Sequence, residues 1–218
     1  MSNHYPKSRV EIKGFTAKYY DTLINVVTFG KYSSFIGKAI ELMRIRPTDR
    51  ILDLGAGTGR NACLIMRYLS SEGELLSLDI SKEMIIQFEK KCANFSNAKI
   101  INKRIDQHLP YRNEFDKVFI CFVLHGFPQS VREVIIDNAF RALKNDGEFF
   151  ILDYNEFSLR NTPFYLRFAF KLIECPYAFD FIKKDWKKIL SKIGFKHFKE
   201  HYFFSKYVRL LKVAKSVE

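Results

Sequence analysis

The sequence predicts an α/β fold with a mostly parallel sheet, helices on both of its faces, and an antiparallel hairpin at the C-terminal end. Short apolar segments typical of buried strands alternate with segments of helical periodicity from residue 49 to about residue 195. Two strand-like segments then follow each other with only a short turn between them. Because no Pro-, Gly- or Ser-rich tract divides the 218 residues, we expect one domain over residues 1–218.

The N-terminal part of the chain predicts a lid followed by a parallel βαβ unit. Apolar residues recur at helical spacing over residues 15–44 with a break near TFGKY, which predicts two helices ahead of the first strand. DRILDLG (49–55) and ELLSLDI (74–80) are typical of buried strands, and NACLIMRYL (61–69) between them is typical of a helix.

The later elements continue the alternation and then end in a hairpin. Ser81 is the predicted N-cap of the next helix, and Asn-Asp-Gly at 145–147 is predicted to stop a later one. A tight turn is expected at Ser205 and Lys206. The predicted elements are helix 82–95, strand 98–103, strand 115–125, helix 130–144, strand 148–154, an aromatic-rich segment at 157–181, helix 183–195, and strands 197–204 and 207–215.

Charge and cysteine content restrict the class of protein. A net charge of +12 suits nucleic acid, anionic lipid or an acidic substrate, but the lysines are spread along the chain, so an ordinary solvated surface is the simpler interpretation. The four cysteines form no C-x-x-C pair, which argues against a zinc site or a disulfide framework. Without an apolar leader or a stretch of about 20 apolar residues, we expect a cytoplasmic protein, peripheral to a membrane at most.

Three glycines lie within five positions between the first strand and its helix. Gly55, Gly57 and Gly59 let the backbone approach a ligand, and the helix N-terminus offers unpaired amides. The dinucleotide fingerprint G-x-G-x-x-G needs glycine at position 60, where Arg60 stands, and no G-K-[ST] follows. The loop therefore predicts neither a nicotinamide dinucleotide nor a nucleoside triphosphate.

Two carboxylates indicate the chemistry of the ligand. Asp53 precedes the glycines, where it would repel a pyrophosphate but attract an ammonium group. Asp79 ends the second strand, where a carboxylate can accept hydrogen bonds from both hydroxyls of a ribose. The expected ligand carries a ribose and a cation, with ordinary helix capping as the alternative role for Asp79.

These motifs resemble those of class I S-adenosylmethionine-dependent methyltransferases: LDLGAGTG, the acidic residue in LSLDIS, and RIDQHLPYRNEFDKVF. More narrowly, AKYYDTLINVVTFGKY and RALKNDGEFFILDY make residues 15–155 similar to the UbiE-like ubiquinone/menaquinone biosynthesis methyltransferases. The sequence departs from that pattern by one extra residue in Y-D-x-M-N, by Asn145-Asp146 in place of Pro-Gly, and by Asp153 in place of Glu. These departures leave the quinone acceptor open.

The resemblance implies a Rossmann-like fold with a seven-stranded sheet, S-adenosylmethionine as cofactor, and S-adenosylhomocysteine as product. It implies that Asp53 lies near the ammonium group of the cofactor and Asp79 near the ribose. It places Ile80 and Ile105 around the adenine, with Asp106 accepting from the exocyclic amine unless it only caps a helix. The remaining expected cofactor contacts are Gly55, Ala56, Gly57, Gly59, Met84, Cys121 and Tyr20, with packing of the lid against the sheet as the alternative role for Tyr20.

Methyl transfer requires orientation, a site free of competing water, and no metal. An acceptor carbon or oxygen must also lose a proton, and His125, at the end of the predicted fourth strand, is the candidate base. Asp153, at the end of the fifth strand, is expected to orient His125 because the two strands are neighbours in this family's sheet. Simple packing or capping is the alternative role for both side chains.

The aromatic-rich segment 157–181 suggests the nature of the methyl acceptor. Its aromatic residues, with Phe29 and Tyr32, are expected to roof an apolar cavity, with core packing as the alternative role for part of them. Its interleaved Arg160, Arg167 and Lys171 suit an anionic membrane. We therefore expect a small, aromatic or lipid-like acceptor, with a quinone precursor as one example. RNA or DNA methylation ranks lower because LHGF replaces the [DN]-P-P-[YFW] motif, and a catalytically idle cofactor-binding protein is the third hypothesis.

Overall fold

The computed structural model describes Tyr5, Ser8 and residues 32–216. Their regular elements follow the alternating order expected of an α/β fold, with two short 3-10 turns. They are α1 (Tyr32–Leu42), β1 (Arg50–Leu54), α2 (Arg60–Ile65), β2 (Glu74–Asp79), α3 (Lys82–Cys92), β3 (Ala98–Asn102), β4 (Phe115–Cys121), the turn Leu124–Gly126, α4 (Gln129–Ala142), β5 (Leu143–Tyr154), the turn Leu159–Asn161, α5 (Phe164–Ile173), α6 (Pro176–Phe181), α7 (Trp186–Ile193), β6 (Phe195–Phe203) and β7 (Val208–Lys215).

The strands form one seven-stranded sheet in the order β3-β2-β1-β4-β5-β7-β6. β1 to β5 are parallel, and β7 pairs antiparallel with both β5 and β6. The strand order reverses between β1 and β4, and in open sheets of this kind ligands bind at that crevice, beyond the carboxyl ends of the strands. The predicted fold class, with its C-terminal hairpin, is confirmed.

Apolar side chains leave the sheet on both faces, because successive strand residues point to opposite sides. Leu52 and Leu54 of β1 belong to the core cluster that includes residues of α4, α6 and α7. Ile51 belongs to the cluster that includes residues of α1, α2 and α3. Helices therefore cover both faces, and the carboxyl edge of the sheet remains for the site.

One element boundary differs from the sequence prediction near the candidate base. β4 ends at Cys121, because Phe122 adopts a positive φ of 52° while its amide donates to the Leu152 carbonyl over 2.9 Å. His125 therefore lies on the 3-10 turn Leu124–Gly126, and the prediction that it ends a strand is wrong. The turn carries the imidazole past the edge of the sheet.

The segment Asn-Asp-Gly at 145–147 does not end a helix, so that prediction is wrong. α4 ends at Ala142, and the fully buried Leu143 already belongs to β5. The pairing with β4 then shifts from Phe115↔Leu143 to Lys117↔Glu148, so residues 144–147 form an irregularity in the strand. Burial of the Leu143 side chain in the core explains why the strand begins four residues before the Asn-Asp-Gly segment ends.

The C-terminal elements follow the sequence prediction closely. α7 begins after Asp185, whose Oδ1 accepts from the Lys188 amide over 2.9 Å, and ends at Ile193, where Gly194 with φ 115° is the C-cap. The predicted tight turn between β6 and β7 has positive φ at Ser205 and Lys206.

Only part of the predicted lid can be compared with the structure. α1 is the second of the two helices predicted over residues 15–44. The first predicted helix, with the predicted contact Tyr20 and with Phe29, falls outside the described residues. In residues 32–216, no helix has the length and apolarity needed to cross a bilayer.

Candidate cofactor site and adjoining histidine cluster

The loop between β1 and α2 is a tight glycine turn fastened to the neighbouring strand. Gly55, Gly57 and Gly59 all have positive φ values, of 80°, 58° and 81°. The amides of Gly55 and Ala56 both donate to the Leu78 carbonyl of β2, over 2.8 and 3.1 Å. The loop is therefore held at the carboxyl edge of the sheet with its backbone close to any ligand there.

Gly59 and Gly57 are needed for different reasons. A Cβ at position 59 would lie 2.8 Å from Cδ2 and 3.0 Å from the backbone Cα of Phe88, in α3. A Cβ at position 57 would have no atom within 4 Å. Gly59 thus allows α2 and α3 to pack closely, whereas at Gly57 the positive φ is what favours glycine, since no described atom would contact a Cβ there.

We expect the substitution Gly59→Ala to lower the free energy of unfolding by about 3 kcal/mol, because a left-handed alanine and a close contact each cost roughly 1–2 kcal/mol. Gly57→Ala, the matched control, should lower it by only about 1 kcal/mol. Urea unfolding of both variants measures the difference. Equal losses would show that the Phe88 contact is not the cause.

Asp53 is a buried carboxylate with an unused acceptor. Its side chain is 2% exposed, and Oδ2 has no hydrogen-bond partner in the described part of the chain. Burial, with the nearby charge of Asp79, raises the pKa of Asp53 to about 7. Since buried polar atoms are nearly always paired in folded proteins, this oxygen is suited to a cationic donor such as an ammonium group.

Asp79 connects the glycine loop to the start of α3. Its Oδ2 accepts from the Gly57 amide over 2.8 Å, and its Oδ1 accepts from the Ser81 amide over 2.9 Å. Burial raises the pKa of Asp79, and these backbone amides partly offset the effect. The Ile80 amide also faces this carboxylate, and three amides still leave it acceptor capacity for a further donor. The geometry is therefore compatible with both predicted roles of Asp79, in capping and in binding a ribose.

The helix after Asp79 starts as predicted. Ser81 is the N-cap of α3, and its Oγ accepts from the Met84 amide over 3.4 Å. Met84 and Ile105 are buried, whereas Ile80 is 36% exposed. Of the apolar side chains expected around an adenine, Ile80 is the one that the solvent reaches.

Asp106 is already engaged by two side chains that the sequence pattern does not single out. The Tyr5 hydroxyl donates to Oδ2 over 2.7 Å, and Arg104 pairs with both oxygens, its Nε lying 3.0 Å from Oδ1. Burial raises the pKa of Asp106, but hydrogen bonds from Arg104 and Tyr5 outweigh it and hold the pKa below its usual range. Asp106 is thus an ionised acceptor.

His125 and Asp153 meet, as the adjacency of the fourth and fifth strands predicts. The Nδ1 atom of His125 lies 2.7 Å from Oδ1 of Asp153, and the His125 amide donates to Oδ2 over 3.1 Å. Asp153 also accepts from the Tyr154 amide over 2.8 Å. These contacts fix the imidazole through its ring and its backbone.

Glu174 is a second carboxylate beside the same imidazole. Its Oε2 lies 3.4 Å from Nε2 of His125, and its Oε1 accepts from the Tyr154 hydroxyl over 2.6 Å. Burial lowers the pKa of His125, but Asp153 and then Glu174 outweigh it, so the pKa is raised. Sequence reasoning misses Glu174, although it is the one acidic residue in positions 157–179.

Arg132, in α4, holds the turn that carries His125. Its guanidinium is fully buried and donates to the carbonyls of His125 and Tyr177, over 3.1 and 2.6 Å, and to Asp180 over 2.8 Å. The turn is thereby tied to α6. The signal in the sequence is a charged residue on the apolar face of a predicted helix.

Cys121 lies where the glycine loop adjoins the histidine cluster, which consists of His125, Asp153, Tyr154 and Glu174. It ends β4, between β1 and β5 in the sheet. Burial, then the charges of Asp53 and Asp153, raise the pKa of the Cys121 thiol well above its usual range. The thiol is therefore neutral and adds no charge near these two carboxylates.

The donors and acceptors of the glycine loop fit S-adenosylmethionine. The unpaired Oδ2 of buried Asp53 suits the ammonium group, and the remaining acceptor capacity of Asp79 suits a ribose hydroxyl. No described atom lies within 4 Å of the position that a Cβ would take at Gly57. This space leaves room for the part of the cofactor that joins its ammonium group to its ribose.

Comparison with known proteins identifies the family. Residues 45–194 match a family model described as a methyltransferase domain. The chain is 28% identical over 160 residues to a demethylmenaquinone methyltransferase of Lactobacillus johnsonii, covering 72% of this chain and 65% of that protein. It is 26% identical over 140 residues to the ubiquinone/menaquinone biosynthesis C-methyltransferase UbiE of Wigglesworthia glossinidia brevipalpis, covering 63% and 55%. The chain thus spans less than two thirds of the length of these two relatives.

Solved structures share the fold at low sequence identity. A putative O-methyltransferase of Nostoc punctiforme has a TM-score of 0.72 at 20% identity, covering 92% of this chain and 59% of that one. An S-adenosylmethionine-dependent methyltransferase of Aquifex aeolicus has a TM-score of 0.61 at 15% identity, covering 84% and 98%. From the family match over residues 45–194, the chain belongs to the S-adenosylmethionine-dependent methyltransferases, and S-adenosylmethionine is its cofactor.

Proposed function

We propose that the protein transfers a methyl group to a small, apolar acceptor of the aromatic or lipid-like class, such as a quinone precursor, with His125 as the base. The observation that carries this proposal is the imidazole held between two carboxylates, with the Tyr154 and Phe181 ring centroids 5.1 and 6.3 Å from its own. The quinone-related names of the relatives support the acceptor class.

In this proposal the glycine loop binds and orients the cofactor. Asp53 receives the ammonium group and Asp79 the ribose, while Ile80, Ile105 and Asp106 bind the adenine. The loop residues Gly55, Ala56, Gly57 and Gly59, with Met84, Cys121 and Tyr20, are the further proposed contacts. When bound, S-adenosylmethionine supplies an electrophilic methyl group on its sulfonium. The chain contributes orientation and the exclusion of water.

His125 removes the proton that the acceptor must lose. Its Nδ1–H donates to Asp153, which leaves Nε2 as the atom that takes the proton. The imidazolium that forms lies between Asp153 and Glu174, and both carboxylates stabilise its charge. Since they raise the pKa of His125, they make it a stronger base that acts at higher pH than an ordinary histidine.

The aromatic segment 157–181 is the proposed acceptor side of the site. The Phe170 ring lies 5.1 Å from the rings of both Tyr154 and Phe179 and 5.8 Å from that of Phe157. Tyr154 in turn contacts His125. This continuous aromatic wall favours an apolar acceptor over a polar or polyanionic one.

The acceptor class is tested with labelled S-adenosylmethionine and a cell extract separated into lipid, small-molecule and nucleic acid fractions. We expect the label in the lipid fraction or in an aromatic small molecule, and its loss with the variant His125→Ala. Label confined to RNA or DNA would replace the proposed acceptor. No label, despite measured cofactor binding, would indicate an idle cofactor-binding protein.

A further inference from the structure

We propose that the outer face of α5, defined by Phe164, Tyr165 and Phe168, docks the protein on an anionic membrane. These three aromatic side chains are 76%, 59% and 68% exposed. Their spacing places them on one side of the helix, whereas Phe170 on the other side is 9% exposed. Since large apolar side chains clustered on a surface usually mark a binding site, this face calls for an apolar partner.

The charges around the outer face select the partner. Arg160, Arg167 and Lys171 are exposed, and none of them forms an ion pair within residues 32–216. Residues 157–173 contain no Asp or Glu. Aromatic side chains bordered by unpaired cations match a bilayer surface, where the rings enter the headgroup region and the cations meet anionic headgroups.

The same charges disfavour a second copy of this chain as the partner. In a symmetric dimer the same surface patch faces itself across the two-fold axis. The cations of the two copies would then approach each other, with no acidic residue in 157–173 to compensate. An anionic lipid surface has no such conflict.

The position of α5 connects this surface with the histidine cluster. On the inner side of the helix, Phe170 contacts Tyr154 with 5.1 Å between ring centroids. The chain directly after the helix supplies Glu174, 3.4 Å from Nε2 of His125. Docking through the outer face would therefore bring the cluster close to the bilayer, so that a lipid-like acceptor need not cross water. The inference deepens the proposed function and rests on it for its biological meaning.

The test is sedimentation of the full chain with vesicles of phosphatidylcholine and phosphatidylglycerol in equal parts, compared with phosphatidylcholine alone. We expect binding to the anionic vesicles. Phe164→Ser with Phe168→Ser should weaken it by about tenfold or more. Arg167→Gln with Lys171→Gln should weaken it by about tenfold. The matched control is Ile86→Ser, since Ile86 of α3 is 64% exposed on another surface, and it should bind as the unaltered protein does.

A fluorescence measurement keeps the proposal testable if the serine variant folds poorly. Phe168→Trp should show a blue shift on adding the anionic vesicles, and Ile86→Trp should not. The proposal is overturned if the unaltered protein stays in solution, if Ile86→Ser loses as much binding as the double serine variant, or if neither tryptophan shifts. It is also overturned if the outer face instead forms a dimer that the serine variant abolishes. None of these readouts depends on methyl transfer, so they are separate from the acceptor test.

Discussion

Replacement of Asp53 by Asn is expected to stabilise the cofactor-free protein above pH 7 and to weaken its binding of S-adenosylmethionine. In the folded chain, burial and Asp79 raise the pKa of Asp53 from 3.8 to about 7. An ionised Asp53 without a cation beside it therefore opposes folding. Asn keeps a similar shape but carries no charge to desolvate.

The pH window follows from the two pKa values of Asp53. Between its unfolded value of 3.8 and its folded value of about 7, the folded chain binds the proton more tightly, so stability falls as pH rises. The stabilising contribution is complete below the lower value and lost above the upper one. The variant Asp53→Asn should therefore gain stability over the unaltered protein only as pH rises through this window, by at most about 4 kcal/mol.

Asp53→Asn should bind S-adenosylmethionine more weakly than the unaltered protein does, although it is more stable without the cofactor. Loss of a charged hydrogen-bond acceptor for the ammonium group should weaken binding by about 10–100-fold, as measured by calorimetry. Asp49→Asn is the matched control, since Asp49 is also fully buried but pairs with Arg46 over 2.7 Å and with Lys117 over 3.4 Å. It should lower stability and leave cofactor affinity unchanged. An Asp53→Asn variant that is less stable above pH 7, or that binds the cofactor as before, would contradict the assignment.

Replacement of His125 by Ala is expected to slow methyl transfer by about 10²- to 10⁴-fold, the usual contribution of a general base. Cofactor affinity should change little, because His125 belongs to the cluster beyond Cys121 and not to the glycine loop. Single-turnover transfer to the identified acceptor, together with calorimetry, measures both effects. Unchanged turnover across the pH range would remove His125 as the base.

Asp153→Asn and Glu174→Gln should each shift the pH profile of methyl transfer. The charged groups facing His125 are Asp153 and Glu174, which raise its pKa, and Arg132, which lowers it. Without a carboxylate the pKa of His125 falls, so the neutral base is reached at lower pH. The acid limb of the turnover profile should therefore move to lower pH, further for Asp153→Asn because Asp153 has the larger effect.

A matched variant separates this effect from general damage to the cluster. Asp180 pairs with Arg132 over 2.8 Å and does not contact His125 within residues 32–216. Asp180→Asn should therefore move the acid limb less than Asp153→Asn does, because Asp180 acts on His125 only through the charge of Arg132. A limb that moves to higher pH in Asp153→Asn would show that Asp153 does not stabilise the imidazolium.

Much of the fold follows from local patterns in the sequence. Strand and helix periodicity, the glycine turn after LDL, the Ser81 cap and the final hairpin each depend on residues that are near neighbours in the chain. The meeting of His125 with Asp153 also follows once the strands are placed side by side. The end of β4 and the start of β5 were less predictable, because the positive φ of Phe122 and the burial of Leu143 arise from packing against distant strands.

The sequence alone established the α/β sheet and the loop chemistry that indicates S-adenosylmethionine. Only the tertiary structure revealed that Glu174 flanks His125, that Arg132 ties the His125 turn to α6, and that Tyr5 holds Asp106. The exposure of the outer face of α5 was equally invisible in its composition. Periodicity reports on neighbours within a turn or two. The contacts of Arg132 with Tyr177, of Glu174 with His125 and of Tyr5 with Asp106 join residues 45 to 101 positions apart, and the exposure of α5 depends on which helix face finds a partner.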